Sequence, residues 1–378
     1  MVGPGGRKRQ PGGRNGSLFS PADTLSTVYC LELAGEDDAF AAREAEAAAA
    51  GVEMLAPGLA RAGHVDRDRL RGLAYTHAAD EMVARSEASV DAAATALDAA
   101  AIDREGTVAV RARDVRGLTG VSTADAERQL GGVLVDRDFA VDLDDPDHEL
   151  RALFSADDGL EDPDSDAAAA EQGQIPASDG VCVLGWLDCE SERDFGDRQP
   201  TDRPFFQPGS MAPMDARALA NIAGAASGRR ILDPMCGTGG VLIEAGLVGA
   251  DLVGTDAQWK MVRGTKENLD ALVEGVDTTV ARADATRLPL REGIVDGVVF
   301  DAPYGRQSKI ATHRLEDLVE GALSDVARAS DADATCVLMA DRDWHEAIAA
   351  TEWRLADRFE RRVHQSLTRH VHVLEKSP

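Results

Sequence analysis

Between residues 230 and 301 the chain repeats one pattern four times: a short apolar run closed by an aspartate. The runs are 230–233, 251–256, 278–284 and 294–301, and helical periodicity fills 239–247 and 260–273 between them. Strands alternating with helices predict an α/β unit with a doubly wound, mostly parallel sheet. In such a sheet the carboxyl ends of the strands line a ligand crevice. Asp233, Asp256, Asp284 and Asp301 are therefore expected to face one site. Asp256 follows Asp233 close to the roughly 20-residue offset at which an acid reaches a ribose hydroxyl. Thr255-Asp256 is the ribose-binding candidate. The turn after the first strand reads Asp233-Pro234-Met235-Cys236-Gly237-Thr238-Gly239-Gly240. Its glycines let backbone approach a ligand closely. It is not GxGxxG and carries no phosphate-loop lysine, so its amides and Asp233 suit the carboxylate and ammonium of an amino-acid ligand. Plain tight-turn chemistry is the competing reading, and Cys236 reads as a small turn residue because no partner base can be named.

The fourth strand ends in Asp301-Ala302-Pro303-Tyr304-Gly305. The series D-P-M-C-G-T-G-G, T-D, R-A-D-A and D-A-P-Y-G resembles class I S-adenosylmethionine-dependent amino-methyltransferases, whose fourth motif is usually Asp/Asn-Pro-Pro-Tyr/Phe. An exocyclic amine on a nucleobase has its lone pair delocalised into the ring. A site that methylates it must accept hydrogen bonds from both N–H groups and draw the nitrogen towards sp³ geometry. Asp301 and the carbonyl of Ala302 can supply those acceptors ahead of Pro303, and Tyr304 can stack on a flipped base. This chain has Ala302 where the family has proline, which keeps the carbonyl and loses rigidity. The resemblance implies a donor site of Asp233, Pro234, Cys236, Gly237, Thr238, Gly239, Asp256 and Ala257, with Asp284 and Ala285 meeting the adenine amine.

A more specific resemblance lies in Arg203-Pro204-Phe205-Phe206-Gln207-Pro208-Gly209-Ser210-Met211, Ala212-Pro213 and Ala216-Arg217-Ala218-Leu219-Ala220-Asn221. This stretch is similar to the segment before the catalytic domain of archaeal tRNA guanosine-10 N2-methyltransferases. Residues 366–374 match that family's closing strand. The resemblance implies that Pro208, Gly209 and Ser210 lie near the methyl donor. It also implies an N-terminal half made of a ferredoxin-like unit and a THUMP RNA-binding domain, with tRNA as partner.

The expected organisation is a disordered tail at 1–27, the ferredoxin-like unit and THUMP domain at 28–155, an acidic insertion and linker at 156–202, and the class I methyltransferase domain at 203–378. In the N-terminal half, patterning predicts strands at 28–33, 51–57 and 106–113 and helices at 37–50 and 86–100. A helix at 123–130 is expected to stop at Gly131-Gly132, before strands near Val133 and at 139–143. A further strand at 180–187 is expected inside the linker. Arg7, Lys8, Arg9 and Arg14 make the tail basic, which suits an RNA-contacting arm or an over-long start. Arg111, Arg113 and Arg116 are a candidate tRNA contact face or a solvated strand edge.

Charge bears on how RNA could be held. The 378 residues carry a formal charge of −27, which excludes a general basic nucleic-acid-binding face. Only five of 40 basic residues are lysine: Lys8, Lys260, Lys266, Lys309 and Lys376. An Asp-rich, Lys-poor surface resembles proteins that work in molar intracellular salt, where the Debye length is about 3 Å. Five scattered cysteines without a CxxC pair fit a reducing compartment. No apolar run of about 18 residues and no apolar signal core is present, so a cytosolic monomer without a membrane span is expected. His364, His370 and His372 read as a half-exposed strand, and no metal is expected. Trp259 either covers an adenine edge or caps the core. The expected activity is methylation of N2 of a tRNA guanosine, once or twice. Alternatives are another tRNA guanosine, a DNA adenine amine, or a non-catalytic RNA-binding scaffold. An NAD-binding dehydrogenase is disfavoured by the missing GxGxxG.

Overall fold

The computed structural model describes residues 27–156, 180–303, 312–364 and 367–376. Most of the expected tail and acidic insertion, and Tyr304, lie outside the described residues.

The N-terminal half forms an eight-stranded sheet from β1 (Tyr29–Leu33), β3 (Glu53–Ala56), β4 (Leu59–Ala62), β6 (Thr76–Glu87), β7 (Thr107–Asp114), β8 (Ala140–Val141), β9 (His148–Ser155) and β10 (Val181–Glu190), while β2 (Ala49–Ala50) pairs with β5 (His64–Val65). The spatial order is β3-β4-β1-β6-β10-β9-β7-β8. Helices Val90–Ala99 and Thr123–Val135 pack on one face through Leu97, Leu130 and Leu134, against Val108, Leu150 and Phe154.

Four sequence expectations are corrected here. Residues 86–87 are strand, because Ser86 and Glu87 pair with Cys182 and Val181; the helix starts only after Ser89, whose hydroxyl accepts from Ala92 N–H at 3.2 Å. The helix of residues 123–135 runs through Gly131-Gly132, with no strand near Val133. Each helical glycine costs about 1 kcal/mol, which burial of Leu130 and Leu134 four residues apart on one face offsets. The first helix is Asp38–Ala45, ending before Ala49-Ala50, which are held in a strand pair by Val65 and His64. The strand of the expected linker is β10, which lies between β6 and β9 in the middle of this sheet.

The second sheet contains β11 (Arg230–Asp233), β12 (Asp251–Asp256), β13 (Thr278–Arg282), β14 (Val295–Asp301), β15 (Ser330–Ala340), β16 (Trp353–His364) and β17 (Leu367–Lys376). Its order is β13-β12-β11-β14-β15-β17-β16. The first five strands are parallel, and β17 runs antiparallel to both β15 and β16. Alternate strand residues point into two apolar layers, Leu232, Val298, Phe300 and Leu338 on one face and Ile231, Val299, Val337 and Val371 on the other. Burial of both faces is what a parallel sheet requires. The expected doubly wound fold is thus present, preceded by an α+β half.

The second of those layers continues without a break into Leu31, Phe40 and Leu70 of the N-terminal half. Helix Pro213–Ile222 lies at this junction, with the Tyr75 hydroxyl donating to Asp215 at 2.6 Å. No helix among the described residues is long and apolar enough to cross a membrane.

Candidate functional site

Strand order reverses at β11, which pairs with β12 on one side and β14 on the other. At such a switch point the connections leave in opposite directions and open a crevice beyond the carboxyl ends. A cleft of about 220 Å³ lies there, lined by Gln207, Pro208, Gly209, Ser210, Met211, Asp233, Met235, Cys236, Gly237, Thr238, Gly240, Val241, Met261 and Asp301. Asp233 and Asp301 are the terminal residues of the two central strands.

The glycine turn is shaped for this position. Gly237 and Gly239 have φ of +51° and +79°, and a Cβ on Gly239 would stand 2.8 Å from Thr265 Cγ2. Only glycine combines that backbone with that contact. Gly239 N–H donates to the Cys236 carbonyl at 2.6 Å, and helix Gly240–Leu247 starts directly after it. The Cys236 thiol is buried, which pushes its pKa up and removes it as a nucleophile.

Three carboxylates converge on the turn. Asp233 is buried and accepts from Met235 N–H at 3.0 Å. Burial, with the charges of Asp256 and Asp301, holds its carboxyl well above the usual range. Asp256 does not line the cleft; it accepts from Gly237 N–H at 3.2 Å and from Gln258 N–H at 2.8 Å. Its pKa is raised by burial. The Thr255 hydroxyl donates to the Pro234 carbonyl at 2.9 Å, so the second strand braces the turn.

Of the residues singled out from sequence, Pro208, Gly209, Ser210, Asp233, Cys236, Gly237, Thr238 and Asp301 meet in the cleft. Pro234, Gly239 and Asp256 support it from behind. Ala302 is buried and tied to β15 by its N–H on the Met339 carbonyl at 2.8 Å, and Pro303 follows it. The Ala257 carbonyl accepts from Arg282 Nε at 2.8 Å. Asp284 is exposed and accepts from the Thr286 N–H and hydroxyl at 3.0 and 2.8 Å, beside buried Ala285; neither lines the cleft. Trp259 is 58% exposed, which excludes the core-capping reading.

The arginines of the expected contact face or strand edge each have a partner within the protein. Arg111 donates to the Leu143 carbonyl at 2.8 Å, Arg113 pairs with Glu32 at 2.8 Å, and Arg116 pairs with Asp38. The Arg111 and Arg113 side chains stay 44% and 53% exposed on the strand edge. His370 and His372 lie on β17, where His372 is fully buried and its Nε2 stands 3.1 Å from Asp343. Among the described residues no group of three or more His, Cys, Asp or Glu side chains could hold a metal ion.

Sequence reasoning missed the inner face of helix Trp259–Leu272. Met261 lines the cleft, the Thr265 hydroxyl donates to the Gly237 carbonyl at 2.9 Å, and the Asn268 amide reaches the Thr238 carbonyl at 2.8 Å. The readable signal was Thr265 and Asn268 sharing the apolar stripe of Val262 and Leu269.

Residues 200–371 match the UPF0020 family model, an RMKL-like methyltransferase domain. A tRNA (guanine(10)-N2)-dimethyltransferase of Methanothermobacter thermautotrophicus is 35% identical over 309 residues, which cover 80% of this chain and 83% of that protein. One of Methanocaldococcus jannaschii is 33% identical over 198 residues, 50% of this chain and 53% of that protein. One of Pyrococcus abyssi is 34% identical over 188 residues, 48% and 55% respectively.

Proposed function

The chain belongs to the tRNA (guanine(10)-N2)-dimethyltransferase family, and from that premise we propose that it methylates the N2 amine of a guanosine in tRNA, position 10, with S-adenosylmethionine as donor. The observation that carries this reading is the meeting of Asp233, the glycine turn and Asp301 in one cleft at the switch point. The buried Asp233 carboxyl in that cleft suits the ammonium of such a donor, which favours its ionised form. S-adenosylmethionine supplies an electrophilic methyl group on sulfur.

This chain's residues do the rest. Asp233 offers a buried carboxylate to the ammonium, and the amides of the turn approach closely because Gly237 and Gly239 carry no side chain. Asp256 fixes the turn through Gly237 N–H. Asp301 accepts one N–H of the target amine, and the Ala302 carbonyl accepts the other. With Ala302 N–H committed to Met339, that residue is held on the sheet although alanine stands where the family has its first proline. Accepting both hydrogens pulls the nitrogen towards sp³ geometry and frees its lone pair for in-line attack.

The relative's 309 matched residues extend far beyond the methyltransferase match, which supports reading the N-terminal half as the ferredoxin-like and THUMP part that grips tRNA. At a net charge of −27 that grip rests on shape, 2′-hydroxyl contacts and stacking rather than on counterion release. We place the enzyme in the cytoplasm, as a monomer.

The test is transfer of labelled methyl from S-adenosylmethionine to unmodified tRNA in molar KCl, followed by nucleoside analysis. Label in N2-methyl- and N2,N2-dimethylguanosine at position 10 is expected. Asp301→Ala should cut the rate by about 100-fold or more with donor affinity nearly unchanged. Undiminished turnover in that variant would sink the mechanism.

A further inference from the structure

Segment 203–211 crosses the cleft as a strap, yet its own sequence does not explain why it stays there. Gly209 turns it with φ of +88°, and Pro208, Gly209 and Ser210 line the cleft. The Ser210 hydroxyl donates to the Gln207 carbonyl at 2.8 Å and stands 3.1 Å from the Thr238 hydroxyl. Its anchor is the helix behind the glycine turn. The Phe205 ring packs against Gly264, where a Cβ would stand 2.0 Å from Phe205 Cδ1, and Lys260 Nζ sits 5.7 Å from the ring centre.

Asn268, fully buried on the same helix, completes the anchor. Phe205 N–H donates to Asn268 Oδ1 at 2.8 Å, and Asn268 Nδ2 donates to the Phe205 carbonyl at 2.9 Å, so the side chain pairs with Phe205 as a neighbouring strand would. The same Nδ2 donates to the Thr238 carbonyl at 2.8 Å. One amide thus joins two backbone segments that are distant in sequence, the strap and the glycine turn. Asn268 is not part of the cleft lining.

We infer that Asn268 is a positioning residue: it registers the strap over the donor site and so sets donor affinity without entering the chemistry. The inference rests on reading the cleft as the methyl-donor site. Without the amide, Phe205 N–H, Phe205 C=O and Thr238 C=O lose their partner, and the strap spends part of its time away from the turn. Apparent affinity then falls in proportion to the closed fraction. Asp301 is carried by β14, so the geometry at the reacting amine is untouched.

The experiment compares wild type, Asn268→Ala and Gly264→Ala by calorimetric titration with S-adenosylmethionine, steady-state kinetics on tRNA, and chymotrypsin cleavage at Phe205 and Phe206. Gly264→Ala keeps the amide but drives a methyl group into the Phe205 ring, so it displaces the strap by a second route and serves if Asn268→Ala does not fold. Each variant should raise Kd and KM for the donor by about tenfold, leave kcat at saturating donor within about threefold, and expose the strap to cleavage that donor no longer prevents. Wild-type Kd in a folded variant, or a fall in kcat at unchanged KM, would overturn the role of Asn268. A wild type that binds no donor would instead overturn the reading of the cleft itself.

Discussion

Asp233 is the residue whose charge state depends most on what the cleft holds. It is buried, feels the charges of Asp301 across the cleft and of Asp256 behind the turn, and accepts one backbone N–H, from Met235. Its carboxyl therefore keeps a proton to higher pH in the folded chain than in the unfolded one. The sign follows from linkage: stability falls as pH rises from the ordinary carboxylate range towards the raised value. A cationic ligand favours the ionised form, so donor binding should expel a proton and tighten as pH rises through the same window. Calorimetry in buffers of different ionisation enthalpy should show that release in the wild type. Asp233→Asn should abolish it, weaken donor binding by about tenfold or more, and stabilise the ligand-free protein near neutral pH. Equal proton release from both proteins would contradict this account.

At the scale of elements, strands β1, β6 and β9 bury a charged cluster on the sheet face opposite the two helices. Arg151 stands between Asp80, 3.2 Å away, and Glu32, and Arg113 reaches Glu32 from the rim. Among the described residues Asp80 has only Arg151 as an ion-pair partner, which it shares with Glu32. Burial, assisted by Glu32, pushes Asp80 up to about 7 against the pull of Arg151. The folded state then binds a proton that the unfolded state has released, so the contribution of Asp80 declines between about pH 4 and 7. Urea midpoints should fall from pH 5 to pH 8, and Asp80→Asn, which keeps an acceptor for Arg151, should flatten that fall. The eight-stranded sheet thus carries a pH dependence that its alternating sequence does not announce.

The molecule as a whole is held by the junction of its halves. Glu44 is fully buried and accepts from Ala74 N–H, Tyr75 N–H and the Asn221 amide at 2.7, 2.6 and 2.7 Å. Arg361 of β16 stacks over Phe40 and Tyr75, with centroid distances of 4.3 and 4.7 Å, and pairs with Asp215. These contacts fix the tRNA-gripping part we propose relative to the methyl-transfer cleft. Glu44→Ala would strand three buried donors, at about 1–3 kcal/mol each. Denaturant unfolding should show a loss of roughly 3 kcal/mol or more, with both halves becoming labile together because one apolar core runs through them. Independent unfolding of an unperturbed C-terminal half would show that the junction does not couple them.

The sequence by itself determined the first four strands of the second sheet, its glycine turn and the strand-ending acids Asp233, Asp256 and Asp301, to within a residue or two at most ends, but not β15 or β16, nor that β13 stops at Arg282, short of Asp284. Strand periodicity, a turn that only glycine can make and a terminal aspartate are local properties, and they stay legible wherever long-range pairing agrees with them. Tertiary structure decided what depends on distant partners. Ser86 and Glu87 are strand because β10 lies beside them, and Gly131-Gly132 are helical because Leu130 and Leu134 must be buried. Asp256 reaches the turn while Asp284 is spent on its own. Asn268 acquired its place from two backbone segments, one 30 residues and the other 63 residues away in the chain. A hydrogen bond or a buried charge is set by whichever group the fold brings opposite it, and the identity of that group is not encoded in the residue's own neighbourhood.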